Sequence, residues 1–128
     1  MTPPDEITLT IPRDRALYSV ARLVLGGLAV RHDLTFESLE DLQIALDQLL
    51  DRTGTSGDLT LAVHVDGDRL HASVGPFEPA ALRGELEREE EGVSLARVLD
   101  TVVDEVAVGV RDGGHWVELT KTVRGVAA

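Results

Sequence analysis

The chain has 128 residues, 43% of them hydrophobic, and that length and apolar share suit one domain, residues 1–128, with a single core. The absence of cysteine excludes a disulfide framework, a thiolate zinc site and a thiol nucleophile. A formal net charge of −11 argues against nucleic acid as a partner, because that affinity rests on Lys and Arg contacts that release counterions, while it suits either a basic protein partner or plain solubility.

Residues 6–11 alternate Ile7, Leu9 and Ile11 with Thr8 and Thr10, which predicts a strand with one buried face, ended by Pro12. Asp14 can cap a helix over residues 15–30. Its apolar stripe comes from Leu17, Val20, Ala21, Val24, Leu25 and Leu28, and Gly26 and Gly27 weaken its far end while permitting close packing. The short polar connection Arg31, His32, Asp33 then favours an antiparallel helix pair.

The second helix, residues 35–52, is the most regular stretch of the chain. Leu39, Leu42, Ala45, Leu46, Leu49 and Leu50 fall in one stripe, with Glu40, Gln43, Asp47 and Asp51 opposite. Thr35 supplies the N-cap and Gly54 the stop. Gln48 and Arg52, spaced i, i+4 and close to Ala45 and Asp41, lie on the edge of the stripe, where side chains look from the core margin into whatever stands beside it.

Leu59, Leu61, Val63 and Val65 alternate with polar or small residues, and the alternation resumes at Leu70, Ala72 and Val74, so a hairpin is predicted across Asp66-Gly67. Its expected register pairs Val63 with Leu70, Leu61 with Ala72 and Leu59 with Val74. His64 and His71 then share the opposite face, and two histidines without a third ligand read as solvated surface rather than a metal site. The stretch to Glu91 reads as a short helix after Pro79 with an acidic C-terminal end, which the helix dipole disfavours. Glu89, Glu90 and Glu91 point in different directions on a helix, so they read as a solvated acidic loop and not a cation site.

Ser94 caps a helix through about Val103, and a last hairpin sets Val106, Val108 and Val110 against His115, Val117 and Leu119 across Asp112-Gly113, with Trp116 on its other face. On this reading Leu61 and Val108 both face the core, and Asp at either position should unfold the domain. The element order predicts an α+β fold: a helical layer on one face of a mixed, largely antiparallel sheet. No run of about 18 apolar residues is present for a membrane span. The N-terminal MTPPDEITL has neither the basic nor the apolar region of a signal peptide, so a cytoplasmic location is expected.

This order, with ITLTIPRDRALYSVARLVL at the start, LTFESLEDLQIALDQLLDR in the middle and VLDTVVDEVAVGVRDGGHWVELTKTV at the end, resembles the anti-sigma-factor serine kinases of the GHKL (Bergerat-fold, histidine-kinase-like) ATPase superfamily over nearly the whole chain. In that family the middle helix carries a Glu that positions or deprotonates the nucleophile and, four residues later, an Asn that holds magnesium on the ATP phosphates. Here those positions read Gln48 and Arg52. Glutamine has no carboxylate to accept a proton, and arginine has no lone pair to offer a metal. Shifting the register to Asp47 and Asp51 turns both away from the pocket edge and breaks the apolar match.

The family's adenine-reading Asp-x-Gly motif falls near residues 71–77, where the chain has no aspartate and keeps Gly75 as a degenerate position. The Gly-rich phosphate lid is reduced to Gly92-Val93-Ser94-Leu95 behind the acidic run, which makes Gly92 and Ser94 the remaining degenerate nucleotide-site residues. The resemblance thus implies an anti-sigma-factor-like regulator, a pseudokinase rather than an enzyme. It implies weak or lost ATP binding, no resident cofactor, and a sigma factor and an anti-sigma-factor antagonist as partners. It also implies homodimerisation through the helical-hairpin side. Arg22 matches a family arginine on the partner-facing surface, the alternative being a solvated helix position. Two other functions stay open. One is an active ATP- and magnesium-dependent serine-protein kinase with Arg52 on the phosphate; the other is an accessory interaction domain whose partner is unrelated to sigma factors.

Overall fold

The computed structural model describes residues 6–52, 57–78, 95–111 and 114–123, with residues 51 and 52 described by backbone alone. Strands β1 (Ile7–Pro12), β2 (Asp58–Asp66), β3 (Arg69–Phe77), β4 (Glu105–Arg111) and β5 (Gly114–Thr122) form a five-stranded sheet in the order β1-β2-β3-β5-β4. Every pairing is antiparallel, so the sheet expected to be mixed has no parallel pair among the described strands. Helices α1 (Tyr18–Arg31), α2 (Phe36–Arg52) and α3 (Leu95–Val102) pack on the face that carries Leu59, Leu61, Val63, Leu70, Ala72, Val74, Val117 and Leu119. This is the expected α+β arrangement, with one core between the two layers.

Local chemistry explains where the helices begin. The Asp14 carboxylate accepts from the Ala16 amide at 3.0 Å and opens a short 3-10 turn, Arg15–Leu17, before α1 proper. Thr35 Oγ1 accepts from the Ser38 amide at 3.1 Å and satisfies one of the free donors of α2. Between the helices Asp33 adopts φ of 52°, a left-handed conformation that a short Asp side chain tolerates, and it reverses the chain tightly.

The two hairpins fare differently. In the last one Val106 opposes Leu119, Val108 opposes Val117 and Val110 opposes His115, as the sequence predicts. In the first, Val65 pairs with Leu70, Val63 with Ala72 and Leu61 with Val74, two residues away from the expected register. Asp66 pairs with Arg69, so Gly67 and Asp68 make the turn, and Gly67 takes φ of 62° at its first central position. A slip of two residues preserves the side-chain alternation, so the same residues face the core in either register.

One buried-face assignment fails. Val108 and Val110 point to the helical side of the sheet, yet they are 45% and 68% exposed, because β4 is the edge strand and lies outside the cluster that the helices cover.

A candidate site on the central helix

Helix α2 buries Leu42, Ala45, Leu46, Leu49 and Leu50 and is fastened along both margins. On the α1 side the Arg22 guanidinium donates to the Asp47 carboxylate, and Tyr18 Oη donates to the Leu50 carbonyl at 3.4 Å. On the α3 side Lys121 Nζ reaches Asp41 Oδ2 at 3.1 Å and the Val102 carbonyl at 2.8 Å. Lys121 therefore caps the end of α3 and ties it to α2 from the sheet below. Its position was legible as an anomaly: Val117, Leu119 and Lys121 share the inward register of β5, and a cation at such a place needs a partner.

Gln48 stands two helical turns after Asp41 and in the same direction, so it lies on the α3 margin, half-buried. Arg52 ends α2 one turn further along. The helix thus presents both expected positions along one seam. Gly92 and Ser94 lie outside the described residues, as do Gly54 and the stretch after Pro79 with Glu89, Glu90 and Glu91. At these two positions a carboxamide and a guanidinium offer neither a base nor an anionic metal ligand, and the one carboxylate described on the same margin, Asp41, is held by Lys121. Among the described residues no three His, Asp or Glu side chains converge as a metal site. Beneath the helices a gap of about 10 Å³ lined by Leu25, Leu42, Leu46, Leu61, Ala72, Val74 and Leu119 is wholly apolar and no larger than a water.

The stretch of β3 that the resemblance assigns to the adenine motif is occupied by packing. Ser73 faces the open side of the sheet, where its hydroxyl accepts from Arg111 Nη2 at 3.1 Å, and Ala72 faces the core. A Cβ on Gly75 would stand 2.6 Å from the Trp116 ring, so the indole lies across the space that glycine leaves. Arg111 covers the same ring at 5.2 Å and bonds Glu118 at 2.9 Å. Gly75→Ala is accordingly expected to destabilise the domain by about 1–3 kcal/mol and to shift the emission of its one tryptophan, since the ring must move; unchanged emission and melting would remove the packing account. Arg13 fixes the end of the same strand: its guanidinium donates to the Pro76 carbonyl and lies 5.2 Å from the Phe77 ring. Burial lowers the Arg13 pKa, against a smaller upward pull from Tyr18.

Arg22, expected on a partner-facing surface, is a cross-helix tie that still leaves 52% of its side chain exposed. Leu23 and Val30, which share one stripe of α1, are 75% and 83% exposed, and Phe36 at the start of α2 is 76% exposed. A Cβ on Gly26 or Gly27 would meet no atom within 4 Å, so the surface between Leu23 and Val30 is open. Sequence periodicity found only the buried stripe of α1 and missed this second one. Its signal was that α1 carries apolar residues around most of its circumference.

No family model matches the chain. It is similar to proteins named serine-protein kinase RsbW. The one from Listeria innocua is 31% identical over 77 residues, which is 55% of this chain and 49% of that protein. The one from Bacillus velezensis is 27% identical over an alignment of 144 positions, covering 94% of this chain and 88% of that protein. The crystal structure of the RsbU and RsbW domains of Rv1364c from Mycobacterium tuberculosis matches with a TM-score of 0.66 and 18% identity, over 94% of this chain and 32% of that one. The chain therefore spans about half the length of the Listeria relative and about a third of the solved chain. The expected resemblance to the anti-sigma-factor serine kinases is borne out in sequence, and the fold agrees.

Proposed function

We propose that this chain is an anti-sigma-factor-like regulator that works by binding protein partners, a sigma factor and an anti-sigma-factor antagonist, with nucleotide binding weak or lost. The observation that carries this reading is the seam of α2, where the fold is kept while a carboxamide and a guanidinium stand at the positions that should supply base and metal ligand. Nucleotide chemistry needs those two groups; protein binding needs only the scaffold. On this reading the chain is a cytoplasmic pseudokinase without a resident cofactor.

The partner surface is the outer face of the helical hairpin. It offers Leu23, Val30 and Phe36 as apolar contacts and the half-exposed Arg22 as a charged anchor. The Arg22–Asp47 pair is solvent-exposed enough to contribute at most about 1 kcal/mol to the fold, so a partner carboxylate can displace Asp47 at small cost.

Capture from native cell extract tests the reading. The chain should retain a sigma factor or an antagonist protein, identified by mass spectrometry, equally with and without ATP and magnesium. Leu23→Asp should weaken that capture by roughly tenfold or more while leaving the melting curve in place, since the position is a surface contact and not core. Retention of neither partner class, or retention that depends on ATP, would overturn the proposal.

A further inference from the structure

The sheet ends in β4, and the register of this strand shows which of its backbone groups face outward. Arg111 and Gly114 pair across a two-residue connection and so exchange hydrogen bonds; alternation then directs the N–H and C=O groups of Glu105, Ala107 and Gly109 to Thr120, Glu118 and Trp116 of β5. The first hairpin gives the same answer, since Asp66 and Arg69 flank its turn and leave Leu70, Ala72 and Val74 to bond β5 from the other side. Val106, Val108 and Val110 therefore point their N–H and C=O groups away from the sheet, and among the described strands none pairs with them.

Edge strands are ordinarily guarded by proline, lysine or a bulge, because such a row of groups is a template for another strand. β1, the opposite edge, ends in Pro12. β4 reads EVAVGVR, and its middle carries none of these guards. The side chains add a second demand. Val108 and Val110 are 45% and 68% exposed on the helical face, beside Val106, which already packs on the core. A row of backbone groups at strand spacing, running along an open apolar strip, is satisfied by an extended chain with apolar side chains at every second position rather than by a helix or a small molecule.

Charge selects further. At the start of β4 both Asp104 and Glu105 are exposed, and Glu105 has 67% of its side chain accessible with Arg69 at the 4.0 Å limit. At the other end Arg111 is held by Glu118 at 2.9 Å and by the Ser73 hydroxyl at 3.1 Å. The unbalanced charge along the edge is therefore negative, as is that of the whole chain at −11, and it draws a basic segment rather than an acidic one. We propose that β4 is a docking edge for an extended segment of a protein partner, which adds to the sheet as a further antiparallel strand, apolar at alternate positions and basic where it meets Glu105. Antiparallel addition lets each outward valine exchange both of its hydrogen bonds with one residue of the segment. None of the edge residues belongs to the helical-hairpin surface, so the edge stands or falls independently of the partner contacts proposed there.

Fluorescence anisotropy with a labelled, capped heptapeptide, Thr-Val-Thr-Val-Thr-Val-Lys, tests the proposal. In the antiparallel register its valines oppose Val110, Val108 and Val106, and its lysine opposes Glu105. It should bind the chain saturably below about 1 mM. N-methylation of the three valine amides, which face β4 in that register, should weaken binding roughly tenfold or more; N-methylation of the inner two threonine amides, which face away, should leave it within about threefold. Val108→Pro removes one outward N–H and no bond to β5, so it should abolish binding while cooperative melting is retained. Glu105→Lys should weaken the peptide about fivefold at low salt, and a peptide ending in glutamate should recover the loss. The two methylation patterns give their answer on the parent chain, whatever the variants do. No saturable binding, equal loss from the two methylation patterns, or binding untouched by a folded Val108→Pro variant overturns the proposal. So does a Val108→Pro variant that sediments as a smaller species than the parent, because a second copy of the chain then fills the edge.

Discussion

Leu61→Asp is expected to abolish folding: no cooperative thermal transition and a far-ultraviolet spectrum without native helix. Leu61 is 4% exposed and sits in the apolar cluster between sheet and helices, lining the gap with Leu25, Leu42 and Leu46. A carboxylate there lies in wholly apolar surroundings, and the penalty of several kcal/mol meets a total stability of only about 5–15 kcal/mol. Val108→Asp, which the sequence placed on an equal footing, should change stability by no more than about 1 kcal/mol, because the new carboxylate stays in water. The pair of melts checks the assignment of faces. A folded Leu61→Asp variant, or an unfolded Val108→Asp variant, would mean that the coverage of the sheet is wrong.

The second large effect is expected at Lys121. Its side chain is 13% exposed and its ammonium joins Asp41 to the last carbonyl of α3, so Lys121→Met removes a charge-assisted hydrogen bond and an ion pair while keeping most of the aliphatic stem. A loss of about 2–4 kcal/mol is expected, read as a lower urea midpoint with unchanged slope. Asp41→Asn should cost less, since Asp41 is 38% exposed and Lys121 keeps the Val102 carbonyl. Equal midpoints for parent and Lys121→Met would show that α2 and α3 are held by apolar contact alone.

Periodicity made the layers legible, and it also marks where legibility stopped. Residues with period 2 or 3.6 report which face a side chain takes, and nearly all of the core of α2, β2, β3 and β5 follows from that. Whether a face is covered depends on strand order, and nothing local in β4 says that it is the edge rather than the centre. Turn chemistry was half legible. Asp112-Gly113 gave the correct register, whereas Asp66-Gly67 was read one place early, because Gly67 occupies the first central position of its turn and not the second.

At the candidate site the sequence located Gln48 and Arg52 on one margin of α2, since a helical angle is a local property. The fastenings of that helix, Arg22 to Asp47 and Lys121 to Asp41, join residues far apart in the chain, and no local pattern announces them. The outer apolar stripe of α1 was similarly hidden. A helix with apolar residues all round gives no single periodic face, and only packing shows which side remains open.

The seam of α2 carries the central claim, and titration calorimetry with ATP, with and without magnesium, measures it most directly. The parent is expected to bind no tighter than about 1 mM, without magnesium dependence, while Gln48→Glu combined with Arg52→Asn restores a carboxylate and a metal-binding carbonyl and gains magnesium-dependent binding. Micromolar, magnesium-dependent binding by the parent, equal to that of the double variant, would contradict the account.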